Sequence, residues 1–412
     1  MRKLMVLGLF VVAGCAASEM SGTGTAAPAA SEKTADGADP SQSGSGGGTL
    51  TAGAWDDNLN FDFYLAYLQS VEASPLDGIP KATRTDRMVI EVADLAGAPA
   101  AGVKVEVLQS GNSLLTTTTG ADGRVLFFPE WEGAFPGLVT VVATRTGIRA
   151  EAQAYPGVAS LKLSLPGSVA SPLKALDVTL VIDSTGSMGD EMKYLTSELA
   201  AIATSLDTRF PGLDQRWGLV FYRDEGDSFV VESSDFQSPG KAANELSKRS
   251  ADGGGDYEEV PDLGLARAAQ LSWRDGSVAR MVFHVADAPA HSQNLSRLLE
   301  SIKALRREGV HVYPIAASGV DERAEFAMRS EAQLTGGRYL FLTDDSGIGD
   351  SHKEPTLPCY FVTKLNAAIE RMVQIELTGR YVEPKTEEIL RTGGDPKDGH
   401  CTLSDGRVVV AL

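Results

Sequence analysis

Leu176-Asp177-Val178-Thr179-Leu180-Val181-Ile182-Asp183-Ser184-Thr185-Gly186-Ser187-Met188 is the stretch that decides the fold. Leu176 to Ile182 reads as a buried strand and Asp183 to Ser187 as a short polar loop. From Met188 the period changes: Met188, Met192, Leu195, Leu199, Ile202 and Leu206 recur at the three- and four-residue intervals that put side chains on one face of a helix. Further strands are expected at Trp217 to Tyr222, Ala279 to Ala286, Val310 to Ala316 and Tyr339 to Leu342, with helices near 239–250, 261–272, 295–308, 322–334 and 361–377. Strands apolar on both faces and separated by helices predict an α/β fold with a doubly wound, mainly parallel sheet. Such sheets bind ligands at the carboxyl ends of their strands, so the loops that follow the strands are where chemistry is expected.

Three of those loops carry it. Asp183-Ser184-Thr185-Gly186-Ser187 follows the first strand. Asp252-Gly253-Gly254-Gly255-Asp256-Tyr257-Glu258-Glu259 comes before the second half of the sheet, and Val285-Ala286-Asp287-Ala288-Pro289-Ala290-His291 ends a strand. Aspartate, serine and threonine offer only oxygen, which suits a hard divalent cation: magnesium, with manganese or calcium as alternatives. The D-x-[ST]-x-S pattern resembles the metal-ion-dependent adhesion site of von Willebrand factor A domains, and the glycine loop resembles that of bacterial and hemicentin-like members. The resemblance covers residues 172–378 and implies a Rossmann-like domain. It also implies that the Thr185 and Ser187 hydroxyls bind the metal while Asp183 and Asp287 act mainly through bound water, and that a protein partner completes the shell with an acidic side chain. The threonine that usually supplies the remaining ligand is absent. Asp256 or Glu259 must stand in, and Glu258 occupies the position of the family's proline.

Two other classes compete. His284-x-x-Asp287-x-x-x-His291 has the composition of a metal-dependent hydrolase, but a strand turning into a loop does not put those three side chains on one face as a helix would. No nucleophile elbow surrounds Ser187 and no phosphate-binding loop exists, so the expectation is that the chain is not an enzyme. A structural envelope protein without a retained partner site is the third reading. His284 is expected to be a buried, hydrogen-bonded imidazole. Asp224-Glu225-Gly226-Asp227 and Asp344-Asp345 are expected to be solvated loops that follow strand ends and could accept calcium or shape the rim.

Upstream, the period is two. Met88, Ile90 and Val92, then Val103, Val105 and Val107, alternate with other residues, and Val125 to Phe128, Leu138 to Thr144 and Leu161 to Leu165 continue the pattern between Gly, Pro and Asp turns. Residues 81–166 are therefore expected to form an antiparallel β-sandwich. Its turns resemble the carboxypeptidase regulatory-like and immunoglobulin-like domains, which implies a spacer. Residues 51–80, with Trp55, Phe61, Phe63, Tyr64 and Tyr67, are expected to be an aromatic lead-in packed on that sandwich.

The N-terminus reads as an address. Arg2 and Lys3, the apolar run Leu4 to Ala13, and Gly14-Cys15 resemble a bacterial lipoprotein signal over 1–14. Cys15 would then carry lipid, including palmitate, and Ala16 after it points to the outer membrane under the family rule. Residues 15–50, poor in large apolar side chains, are expected to be a flexible tether. Of three cysteines in 412 residues, Cys359 and Cys401 remain, the latter in the tail 379–412, and in an oxidising compartment an even pair is expected to be joined. With 55 acidic against 37 basic residues and a net charge of -18, nucleic acid is not expected as a partner. The combined expectation is an envelope-anchored lipoprotein that binds a protein partner through a metal-assisted carboxylate contact, in adhesion or assembly.

Overall fold

The computed structural model describes residues 49–166, 173–348 and 351–412. The leader over 1–14, Cys15 and nearly all of the tether over 15–50 lie outside the described residues. In chain order the elements are β1 (Thr51–Trp55), α1 (Phe61–Ala73), β2 (Met88–Asp94), β3 (Lys104–Gln109), β4 (Asn112–Thr118), β5 (Arg124–Phe127), β6 (Val139–Arg145), β7 (Ile148–Ala154) and β8 (Ser160–Leu165). Then come β9 (Ala175–Asp183), α2 (Gly189–Arg209), β10 (Asp214–Tyr222), β11 (Val231–Gln237), α3 (Pro239–Leu246), α4 (Pro261–Ala269), β12 (Ala279–Ala286), α5 (Leu295–Arg307) and β13 (His311–Ala316). The remainder is α6 (Glu322–Thr335), β14 (Tyr339–Thr343), β15 (Tyr360–Lys364), α7 (Leu365–Thr378), β16 (Arg391–Gly393), β17 (His400–Thr402) and β18 (Val408–Val410).

The main sheet has the order β11-β10-β9-β12-β13-β14-β1-β15-β16. Its centre, β10 to β14, is parallel, and the helices between those strands cover both faces, as the alternation of apolar strands and amphipathic helices predicts. β11 on one edge and β1, β15 and β16 on the other run antiparallel to their neighbours. The helix expected over 361–377 begins only at Leu365, because Tyr360–Lys364 is the strand β15.

The lead-in segment belongs to this sheet and not to the sandwich. All five residues of β1 are buried, and it lies between β14, with Thr51 opposite Thr343 and Trp55 opposite Tyr339, and β15. Gly53 is required there: a Cβ would stand 2.3 Å from the Phe341 ring. Residues 56–84 then cover α6. Asp57 accepts from Arg329 Nη2 at 2.7 Å and Nε at 3.0 Å, Arg329 stacks 3.8 Å from the Tyr67 ring centroid, and Arg84 donates to Tyr64 Oη and Ser330 Oγ. This cover explains why α6 is buried around its whole circumference.

The sandwich has sheets β5-β2-β8 and β4-β3-β6-β7 around Ile90, Val105, Val107, Val125, Phe127, Val141 and Leu163. The alternation places these side chains inside, as read. The fold is not wholly antiparallel, however, since β8 pairs with β2 in parallel. The sandwich meets α5 through Arg306, which is 6% exposed. Arg306 donates to Leu126 O at 3.0 Å and Glu132 Oε1 at 2.8 Å, and its guanidinium lies over Phe128 and Trp131. Beside it His311 Nδ1 bonds Glu376 Oε1 at 2.9 Å. Burial alone would lower the pKa of His311. The field of Glu376, its hydrogen bond and the charge of Asp122 outweigh burial and the repulsion of Arg338, and hold it above the ordinary histidine value.

The tail folds back as well. Cys359 and Cys401 form a disulfide, β17 and β18 make a hairpin, and the Phe361 amide donates to Leu412 O at 2.9 Å.

Three outcomes follow. Asp57→Ala takes from buried Arg329 its two-point partner and leaves only Glu325 at 3.4 Å, so thermal unfolding should show a loss of about 3 kcal/mol. Cys401→Ser opens a loop whose ends are 42 residues apart, which the loop-entropy model sets at about 4 kcal/mol; thiol labelling of the wild type in denaturant without reductant should leave Cys359 and Cys401 unlabelled. Because the folded pKa of His311 is raised, its contribution is fully present below the ordinary value of about 6.5 and is lost as pH rises through the folded value. His311→Gln should flatten that part of the melting-temperature profile.

Candidate functional site

The parallel register decides which residues meet. Val285 of β12 lies beside Ile182 of β9, and Tyr222 of β10 beside Asp183, so Asp183 and Asp287 emerge as neighbours at the carboxyl ends of adjacent strands. Asp183 is fully buried. Its Oδ1 accepts from the Thr185 amide at 3.0 Å and the Thr185 hydroxyl at 2.6 Å, which folds the loop into an Asx-type turn. The Thr185 and Ser187 hydroxyls are 3.3 Å apart, and Ser187 donates to Asp287. Ser187 is exposed while Thr185 is buried, so one hydroxyl faces solvent and the other the interior. Asp183 does not cap α2, whose first turn has no side-chain cap.

The glycine loop packs directly on this turn. The Gly186 amide donates to Gly253 O at 3.1 Å and the Asp252 amide to Ser184 O at 3.0 Å. Gly254, with φ +78°, passes so close that a Cβ would meet Glu259 Oε1 at 3.2 Å and Thr185 Cβ at 3.3 Å. Glu259 is thereby brought against Thr185. Its amide donates to Pro289 O and its backbone bridges to Ala290, which ties the loop to the segment after β12. Tyr257 holds the other side, donating to Gly319 O at 2.9 Å and accepting from the Asp321 amide at 2.8 Å.

Of the sequence-derived candidates, Asp183, Thr185, Ser187, Glu259 and Asp287 come together. Asp256 does not join them; it is exposed and stands with Asp224 and His291. In the choice between Asp256 and Glu259, the structure favours Glu259. Glu191 was not visible as a participant. From the first turn of α2 it accepts from the Ser318 amide at 3.2 Å and from its hydroxyl, and its charge acts on Asp287. Its position four residues after Ser187 was the available signal.

Among the described residues no lysine or arginine pairs with Asp183, Asp287 or Glu259. Asp183 Oδ2, Asp287 Oδ1 and Glu259 Oε2 are buried and have no hydrogen-bond partner. Burial, then the charge of Asp287, pushes Asp183 up to about 7. Burial, then Asp183 and Asp224, pushes Glu259 up to about 9. Asp287 is raised as well, mainly by burial. Three such carboxylates cannot all ionise without compensating positive charge. Two hydroxyls and three carboxylates form an all-oxygen donor set, and their orphaned oxygens fit a hard divalent ion.

His284 has no free ring nitrogen for chemistry here: Nε2 bonds Tyr222 Oη at 2.9 Å and Nδ1 bonds Glu331 Oε2 at 2.7 Å. His291 pairs with Asp224 at 2.7 Å. The structure therefore does not assemble the His284, Asp287, His291 trio. Asp344 and Asp345 are engaged by His352 and Arg391.

Residues 177–347 match the von Willebrand factor A domain family. Over 134 residues the chain is 29% identical to the alpha-protein kinase vwkA of Dictyostelium discoideum, a match covering 31% of this chain and 21% of that protein. Over 189 residues it is 26% identical to an ariadne-like RING finger protein of Acanthamoeba polyphaga mimivirus, covering 40% of this chain and 18% of that protein. The chain thus spans about a fifth of the length of these curated relatives. Among solved structures, the pilus adhesin SpaC of Lactobacillus rhamnosus GG aligns at 15% identity and a TM-score of 0.32, over 48% of this chain and 29% of that one. The conserved hypothetical protein BatB of Bacteroides thetaiotaomicron aligns at 11% and 0.33, over 48% of this chain and 97% of that one. The strand register, the turn at Asp183 and the family match converge on one conclusion: residues 177–347 of this chain are a von Willebrand factor A domain.

Proposed function

We propose that the chain binds a protein partner through a divalent cation held by Thr185, Ser187, Asp183, Asp287 and Glu259. The observation that carries this reading is the set of three buried, unpartnered carboxylate oxygens beside the exposed Ser187 hydroxyl. A magnesium, manganese or calcium ion bound there would offer its open coordination position to an acidic side chain of the partner. The chain's own residues do the positioning. Asp183 fixes Thr185 by two hydrogen bonds, Asp287 orients Ser187, and the glycine loop brings up Glu259. A third carboxylate at the Glu259 position, where the family uses a threonine, neutralises more of the ion's charge and should weaken its pull on an outside carboxylate. Lipid on Cys15 would place the domain at the bacterial envelope, probed by fractionating Cys15→Ala, which should leave the membrane. Adhesion or assembly is the role this supports, without catalysis by the chain.

Calorimetric titration of chelator-treated protein with magnesium tests the site. Wild type should give binding heat and a rise in melting temperature, and Asp183→Ala should give neither while its far-UV spectrum is unchanged. Ser187→Ala should weaken binding without abolishing it, since one neutral ligand is lost. Equal heats from wild type and Asp183→Ala would overturn the assignment. Capture of envelope proteins should be lost when chelator is added.

A further inference from the structure

Beside the hydroxyl site stands a second group that the proposed function does not use. Asp224 follows β10, Asp256 lies in the glycine loop, and His291 follows β12, yet their ligand atoms all lie within 4.8 Å of one another. No other three His, Cys, Asp or Glu side chains come so close among the described residues. Each arrives by its own constraint. Asp227 accepts from the Gly254 amide at 3.0 Å and the Asp224 amide at 3.2 Å, which clamps the β10–β11 loop to the glycine loop. The bridge from Glu259 to Ala290 sets His291 beside the same loop. Asp227 takes both amides on Oδ2, whereas Asp256 is exposed and has no side-chain hydrogen bond among the described residues.

We propose that Asp224, Asp256 and His291 form a second cation site, separate from the hydroxyl site, that takes a divalent ion of the zinc class. A second observation points to a cation there. Glu259 is 3% exposed, its Oε2 has no hydrogen-bond partner, and the charges of Asp224 and Asp227, as well as those of Asp183 and Asp287, act on it. Its backbone joins the glycine loop to the segment after β12, the two stretches that carry Asp256 and His291. An ion among Asp224, Asp256 and His291 offsets the charge of the acids that crowd this loop and staples three loops together. The donor set selects the ion. One imidazole nitrogen and two carboxylates suit zinc or manganese better than calcium or magnesium, which prefer oxygen alone. Three protein ligands leave room for water at the fourth position. On binding, the ion takes the place of the proton shared by His291 Nε2 and Asp224 Oδ1, which leaves to solvent.

The inference does not depend on the hydroxyl site being loaded, and one experiment separates the two. Zinc is titrated calorimetrically into chelator-treated full chain in excess magnesium, for wild type, Asp183→Ala, Asp256→Asn and His291→Gln. Wild type and Asp183→Ala should give a zinc heat, and Asp256→Asn and His291→Gln should lose it. Asp256 is exposed and unbonded, so its variant should fold whatever happens to His291→Gln. Zinc heat retained in Asp256→Asn would overturn the second site. Zinc heat lost in Asp183→Ala but kept in His291→Gln would place the ion in the hydroxyl site and overturn it equally. Magnesium binding absent from wild type while zinc follows the expected pattern would sink the proposed function and leave this site standing.

Discussion

Negative charge in a buried crevice that no described lysine or arginine pairs with is the constraint that organises this molecule. Several other buried acids have cationic partners: Asp57 has Arg329, Asp177 has Arg216 and Arg274, Glu132 has Arg306, and Glu376 has His311 and Arg338. At the carboxyl ends of β9 and β12 the pattern stops, and Asp183, Asp287 and Glu259 keep orphaned oxygens. Removing an ion from water costs several kcal/mol in a protein, so a fold that leaves three carboxylates unpaired is poised for an external charge. The parallel register makes the crowding unavoidable, because adjacent strands end level and deliver their next residues to the same place.

The sheet that creates this crevice is completed by chain from outside the matched domain. β1 fills the position between β14 and β15, and the segment after it seals α6 with Asp57, Tyr64, Tyr67 and Arg84. The tail contributes β16 and the disulfide to Cys359. A buried ion pair such as Asp57 with Arg329 contributes little net stability compared with apolar packing, but breaking it is costly. Its value here is register: it fixes where β1 ends and the covering segment begins.

Legibility in the sequence follows from period and from distance along the chain. β9, the turn and α2 were readable because a strand, a polar loop and a helical stripe follow one another without interruption. β1 was not: Thr-Ala-Gly-Ala-Trp has no alternation and only one β-branched residue, and Gly53 is there for the Phe341 ring, a contact 288 residues distant in sequence. β15 was absorbed into the helix after it because Phe361 and Val362 extend the apolar run. α5, which the sandwich meets, is legible from its apolar stripe, but β7, Ile148–Ala154, is not, because its alanines and charges mark an edge strand. Between Asp256 and Glu259 the sequence had no arbiter. The positive φ of Gly253 and Gly254 turns the loop so that the later carboxylate enters the crevice and the earlier one reaches Asp224 and His291.

The same topology settles where the sandwich can influence binding. Asp183 and Asp287 follow the carboxyl ends of β9 and β12, whereas His311, at the interface with the sandwich, opens the parallel strand β13 at its amino end. Arg306 and Gly309, which touch Leu126, Glu132 and Thr118, precede that same end. Parallel strands thus carry the crevice at one end and the sandwich contact at the other, so the sandwich leaves the crevice open to a partner. Any coupling between the two has to pass along β13 or through α7, where Glu376 holds His311. Protonation of His311 would then change how firmly the sandwich is seated without touching a ligand of the crevice.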